Sequence, residues 1–377
     1  MPEGQVGRRE PVNRFHKDPE RSYTLPARNY IDPEFYAREV EAIFCRSWNF
    51  VGHGEQLREA GSYVTCQIAD QNIVVLRGKD GTLRAFYNVC AHRAHELLKG
   101  CGKAKVITCP YHAWSYHSDG RLRTARGSEK VDGFNAEEFG LKQVQVEELC
   151  GFVFVNLDPQ AASLKGQSGN LESEMRRYCP DIDRLTFSHR LSYDLKANWK
   201  NVVDNFLECY HCSPAHPAFV DLVDIKNYRT TAHGIYSSHI APPGRADNSA
   251  YAVPEDQKTD FAAWWLWPNV TFNTFPGPGN MTVLHIMPTG PETVREHFDF
   301  YFLDKTPSEC EQAAIKYVDK VLQPEDIGLV ESVQRGLHSR GYHQGRFIVD
   351  RERTFISEHG LHHFHGLVLD ALGQRTS

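Results

Sequence analysis

The sequence predicts an α+β protein of two unlike domains, an all-β domain over residues 48–159 and a larger α+β domain over 160–377. Three observations carry this. The 377 residues exceed the size at which a single hydrophobic core usually divides. Between Trp48 and Pro159 the chain is a series of short β-rich runs broken by glycine and aspartate turns. Beyond Pro159, strand-like runs alternate with longer segments of helical period.

Taken in order, the first thirty residues are polar and turn-rich. Asp32-Pro33 followed by EFYAREVEAIFCRSW then has a proline in the first turn and apolar residues at helical spacing. This N-terminal segment, residues 1–47, is expected to fold back onto the second domain. The all-β domain draws on SYVTCQI, NIVVLRG, LRAFYNV, KVITC and GFVFVNL. AASLKGQSGN has the composition of a linker. In the second domain the clearest helices are NWKNVVDNFLECYH and PEDIGLVESVQRGLHSR, and no internal repeat is present.

A net charge of −6 leaves no basic surplus, which argues against nucleic-acid and anionic-membrane partners. No stretch approaches the roughly 18 apolar residues of a membrane span, and MPEGQVGRREPVNRF lacks the apolar run of a secretory signal. A cytoplasmic enzyme is the expectation. In that compartment ten irregularly spaced cysteines do not form a disulfide framework, and cysteine close to histidine reads as metal binding.

Two such constellations stand out. In the β-rich domain lie Cys90-Ala91-His92 and, sixteen residues on, Cys109-Pro110-Tyr111-His112. Thiolate and imidazole suit zinc or an iron–sulfur cluster alike. Two facing loops, each offering one sulfur and one nitrogen, match the arrangement in which two histidines replace two cysteines on one iron of a 2Fe-2S cluster. In the second domain a helix from Asn198 would place Asp204, Glu208 and His211 on one face; Pro214 is expected to end it, with His216 just past the end. Two histidines and one carboxylate form the facial triad of a non-haem ferrous site. Asp204, Glu208 and the distant Asp326 compete for the carboxylate's place. Cys209-x-x-Cys212 has the spacing of a redox pair without a thioredoxin-like βαβ setting.

Cys90-x-His92-Arg93 with Cys109-Pro110-Tyr111-His112-Ala113-Trp114 resembles the Rieske ferredoxin motif, with Ala91 and Ala94 where many relatives have proline and glycine. Glu208-x-x-His211-x4-His216 with a downstream Glu325-Asp326 resembles the catalytic domain of Rieske non-haem iron oxygenases. That family resemblance implies an all-β Rieske domain, and a catalytic domain whose antiparallel sheet and helices surround a mononuclear Fe(II). It implies Cys90, His92, Cys109 and His112 as cluster ligands, and His211, His216 and Asp326 as iron ligands. Glu208 takes the role of a carboxylate bridging the two centres, where most relatives have aspartate. The resemblance further implies a homotrimer in which His112 of one copy approaches His211 of the next through Glu208.

No G-x-G-x-x-G follows a strand, so electrons are expected from a partner, and the resemblance implies a separate NAD(P)H-dependent reductase of the flavin and 2Fe-2S type. LRAFYNVCAHRAHELL, NWKNVVDNFLECYHCSPAHP and QPEDIGLVESVQRGLHSRGY resemble the carnitine monooxygenase group, whose substrates are quaternary ammonium compounds. With O2, such a substrate would be hydroxylated beside nitrogen and lose a carbon–nitrogen bond. Trp264, Trp265, Trp267, Phe272, Phe275 and Tyr210 are the aromatic candidates for holding its cation. Two alternatives compete: a Rieske oxygenase of aromatic compounds or acids, and a non-catalytic electron carrier or zinc scaffold. The second leaves His211, His216 and Asp326 without a task.

Overall fold

The computed structural model describes residues 13–374 apart from Ala246. The first domain contains β1 (Asn49–His53), β2 (Ser62–Ile68), β3 (Gln71–Arg77), β4 (Leu83–Tyr87), β5 (Cys101–Lys103), β6 (Ile107–Thr108), β7 (Ser115–Tyr116), β8 (Leu122–Thr124), β9 (Gln143–Leu149) and β10 (Phe152–Asn156). Seven of them form a sheet in the order β1-β10-β9-β4-β3-β2-β5, while β6, β7 and β8 form a small sheet of their own. The short strands follow from the turns between them: at Cys150-Gly151, joining β9 to β10, both residues have positive φ, as a two-residue hairpin requires.

The second domain is built on a seven-stranded antiparallel sheet from β11 (Thr186–Leu195), β12 (Arg229–Ala232), β13 (Tyr236–Ala241), β14 (Phe261–Leu266), β15 (Val270–Thr274), β16 (Asn280–Gly290) and β17 (Thr293–Phe302). Their order is β11-β17-β16-β15-β14-β13-β12. Both faces of this sheet are covered, so period-two alternation sends neighbouring residues to different places. On β14 and β15, Trp264, Leu266 and Phe272 pack with Phe50, Phe152 and Phe154 of the first domain. Phe261, Ala263 and Trp265 point the other way, into a core shared with the helices.

Those helices are α1 (Pro33–Glu39), α2 (Trp199–Phe206), α3 (Gln323–Leu337) and α4 (His359–Ala371). The Asp32 side chain caps α1 by accepting from the Glu34 amide, with Pro33 in the first turn. Asn198 caps α2 in the same way. The N-terminal segment packs on the second domain through Leu25, Tyr30, Ile43 and Phe44, and through a buried ion pair of Glu39 with Lys200 at 2.6 Å. α3 continues without a break from a helix over Glu309–Tyr317 through a π-helical stretch, Val318–Leu322. Pro324 has no amide hydrogen and crowds the preceding turn; the wider π turn just before it accommodates this within one long helix. The stretch with linker composition is itself folded, with a short helix over Leu164–Gln167 and both Leu164 and Leu171 fully buried.

Candidate metal centres and substrate cavity

The two loops of the first constellation are built alike. In each, the amide four residues after the cysteine donates to the cysteine carbonyl: Ala94 to Cys90 and Ala113 to Cys109, both at 3.0 Å. The cysteine amide in turn donates to the carbonyl five residues on, His95 at 2.9 Å and Trp114 at 2.7 Å. Closing so tight a turn puts Ala94 and Ala113 in the left-handed region, at φ +54° and +59°. Alanine pays for this conformation where glycine would not, at a cost of about 1 kcal/mol each. The missing glycine at Ala94 therefore leaves the turn in place.

Cys90 and Cys109 are free thiols, buried to 3% and 2% exposure. His92 and His112 face each other with ring centroids 4.7 Å apart, and His92 stacks on Trp114. The Tyr116 hydroxyl lies 3.2 Å from the Cys90 sulfur and accepts from the Ala91 amide at 3.0 Å. Burial drives its phenol well above the usual range, so it keeps its proton.

At the second constellation α2 ends at Phe206, short of the predicted length. Glu208 explains the stop: its carboxylate accepts from the His211 amide at 3.1 Å and from Nδ1 of the same histidine at 2.5 Å, a local turn that competes with further helix. Pro214 does not terminate α2; it sits within a separate turn over Cys212–Ala215. Asp204, Glu208 and His211 consequently do not share a helical face. Asp204 turns away, accepting from Tyr30 Oη at 2.7 Å and pairing with His365 Nε2 at 3.0 Å, where it ties α2 to α4 and the N-terminal segment.

Asp326, on α3, is the carboxylate that meets both histidines. Its Oδ1 lies 3.0 Å from His216 Nε2 and 3.7 Å from His211 Nε2. Ligand atoms of His211, His216 and Asp326 fall within 4.8 Å of one another, the one such trio among the described residues. Two partners had no role assigned from the sequence. Glu325 accepts from His216 Nδ1 at 2.7 Å, as Glu208 does from His211, and Asn205 Nδ2 lies 3.4 Å from His211 Nε2. Burial pulls the His216 imidazole down, yet Asp326 and Glu325 outweigh it and lift it to about 9.

A cavity opens on this trio. Its wall includes Phe206, Phe219, Tyr228, Phe261, Phe275 and Phe298, with Asn273, Gln323 and Glu296 among the polar groups and, among the described residues, no lysine or arginine. Of the six aromatic residues read as cation-holding candidates, only Phe275 is here. Trp264 and Phe272 lie between the domains, and Trp265 is fully buried in the other core. Trp267 donates to Ser47, and Tyr210 is 46% exposed. Cys209 and Cys212, which also line the cavity, are joined by a disulfide.

Residues 47–135 match the family model of the Rieske [2Fe-2S] domain, and residues 182–374 match that of the ring hydroxylating alpha subunit (catalytic domain). The chain is a Rieske oxygenase alpha subunit. It is 44% identical to the carnitine monooxygenase oxygenase subunit of Escherichia coli (strain K12), over 94% of this chain and 95% of that one. It is 32% identical to the chloroplastic choline monooxygenase of Beta vulgaris, over 92% and 76%. Among solved structures it is similar to the quaternary ammonium Rieske monooxygenase CntA in complex with L-carnitine, with TM-score 0.87 and 40% identity, covering 96% of this chain and 99% of that one.

As a Rieske oxygenase the chain carries a 2Fe-2S cluster and a mononuclear iron, and its donor sets suit both. The first offers two buried thiols and two imidazoles from mirror-like loops. The second offers two imidazole nitrogens and a carboxylate beside an open cavity, each imidazole oriented from behind by a glutamate. Among the described residues no helix is long and apolar enough to cross a membrane.

Proposed function

We propose that this Rieske oxygenase is the terminal component of a quaternary ammonium monooxygenase, acting on a carnitine- or betaine-like substrate with carbon–nitrogen cleavage or N-demethylation. In this reading Cys90, His92, Cys109 and His112 hold the cluster, and His211, His216 and Asp326 hold the iron. The observation that carries the substrate class is the cavity: an aromatic wall suits a methylated cation through cation–π attraction, and among the described residues no lysine or arginine lines it to repel one. The similarity to the carnitine monooxygenase subunit and to the carnitine-bound structure supports the same class.

When bound, the cluster supplies electrons one at a time and the iron binds and reduces dioxygen. The chain's own residues prepare the site. Glu208 and Glu325 each hold a histidine Nδ1 proton, which turns both Nε2 atoms toward Asp326. The apolar wall excludes water from around the substrate's methyl groups.

The electrons come from a separate NAD(P)H-dependent reductase of the flavin and 2Fe-2S type, and the enzyme works as a homotrimer in the cytoplasm. His92 and Tyr111 are exposed beside the first centre and Tyr210 beside the second, so each centre presents surface to a neighbouring copy. Glu208 then bridges His211 to the partner copy's cluster. A solved relative is described in terms of inter-subunit electron transfer. Enzyme supplied with reductase, NADH and O2 should release trimethylamine or formaldehyde from at least one of carnitine, γ-butyrobetaine, glycine betaine and choline. Turnover of aromatic acids with none of these cations would reject the reading in favour of the aromatic alternative.

A further inference from the structure

The cavity holds one carboxylate that the two metal centres leave unused. Glu296 lies on β17, on the same sheet face as Phe298 and Phe300, and is 2% exposed. Its Oε2 has no hydrogen-bond partner although it is fully enclosed. The other acids at the site are engaged: Glu208 with His211, Glu325 with His216, and Asp326 with both histidines. Gln323 contributes a second buried oxygen, Oε1, that also lacks a donor. Among the described residues no lysine or arginine lines the wall, which leaves the two histidines as its basic groups.

A buried carboxyl without a donor is destabilising, and folds seldom keep one without a use. A quaternary ammonium group has no N–H to donate, so its contact with a carboxylate is one of charge and shape rather than of hydrogen bonding. Glu296 is suited to that contact: it lines the cavity, no protein donor competes for Oε2, and although burial and then Asp326 lift its carboxyl to about 8, a fixed cation beside it favours the ionised form. The aromatic wall alone would accept a neutral trimethyl group of the same shape with much of the same burial. A carboxylate set into that wall distinguishes the two by charge.

We propose that Glu296 is the anionic receptor for the substrate's fixed positive charge; this rests on the quaternary ammonium reading above. It is a substrate-positioning residue that holds the cation over the aromatic wall while the carbons beside nitrogen face the iron ligands.

The test pairs each cation with its carbon isostere: γ-butyrobetaine with 5,5-dimethylhexanoate, and choline with 3,3-dimethylbutan-1-ol. Steady-state KM is measured for the cations, and competitive inhibition for the isosteres, in wild type, Glu296→Gln and Glu296→Asp. Glu296→Gln should raise the KM of the cation by about 10- to 100-fold while kcat changes far less. Inhibition by the isostere, iron content and the cluster's spectrum should stay at wild-type values, and Glu296→Asp should restore part of the preference for the cation. A merely structural role would weaken both members of a pair together, and that result, or no change in either, overturns the proposal. So does a wild-type enzyme that binds cation and isostere equally, a result that needs no variant to fold. If wild type oxidises no quaternary ammonium compound, the substrate reading itself has failed and takes this proposal with it.

Discussion

Each imidazole at the proposed iron site is held from behind by a glutamate, and these two residues should separate by function. Glu325 serves only His216. Glu325→Gln should weaken iron binding by about 10- to 100-fold, as removal of such outer partners does, and leave the cluster intact. Glu208→Gln should keep both metals, yet slow single turnover by about 100-fold or more, the scale of a lost positioning contact. Full single-turnover rate in that variant would reject the bridging role. His216 adds a pH dependence. Its pKa in the metal-free fold, about 9, stands above the ordinary 6.5, so its proton stabilises the metal-free protein fully below 6.5 and ceases to do so as pH rises through 9. Iron must displace that proton, so Fe(II) affinity of the metal-free enzyme should fall by about tenfold per pH unit between 9 and 6.5. A titration showing no proton release would contradict this. At this scale the sequence carried the donor types and left the carboxylate open. Asp204, Glu208 and Asp326 are separated by chain direction after Phe206, which spacing does not encode.

Helices and strands explain which parts of the site were legible. The caps Asp32 and Asn198, the β-rich runs and the helix bearing Asp326 follow from local rules. The early end of α2 does not, because it depends on the Glu208 carboxylate folding back onto His211. The aromatic candidates failed for a different reason. A sheet covered on both faces buries every residue of β14 and β15, so composition cannot tell the cavity face from the face that meets the first domain. The π-helical stretch before Pro324 was equally hidden, since helical spacing does not distinguish a π turn that accommodates the proline from a break in the helix. The join of α1 to α2 is testable by itself. Lys200 and Glu39 are both fully buried, and Trp199 Nε1 also donates to Glu39 at 3.0 Å. Lys200→Met strands the carboxylate and should cost about 3–5 kcal/mol in denaturant unfolding, whereas Glu39→Gln with Lys200→Met should recover most of it. Equal loss in single and double variants would show that packing, not charge, holds the segment.

Over the whole molecule, the two domains share a core of aromatic side chains while each keeps its own candidate centre. The two-domain α+β class was legible because each domain's pattern is local. The proposed trimer was legible only through family resemblance, since it would depend on exposed surfaces such as those around Tyr111 and Tyr210. If electrons cross between copies, a variant lacking the cluster, Cys109→Ala, and one lacking the iron, Asp326→Ala, should each be inactive alone. Hybrids formed by co-expression should recover activity, and hybrids as inactive as their parents would reject transfer between subunits. The most direct test of the account is total iron and acid-labile sulfide per chain in wild type and in Asp326→Ala, with the low-temperature EPR spectrum of each after dithionite reduction. The account predicts about three irons and two sulfides in wild type, and about two irons with an unchanged cluster signal in the variant. Zinc without sulfide in wild type, or undiminished iron in the variant, would contradict it.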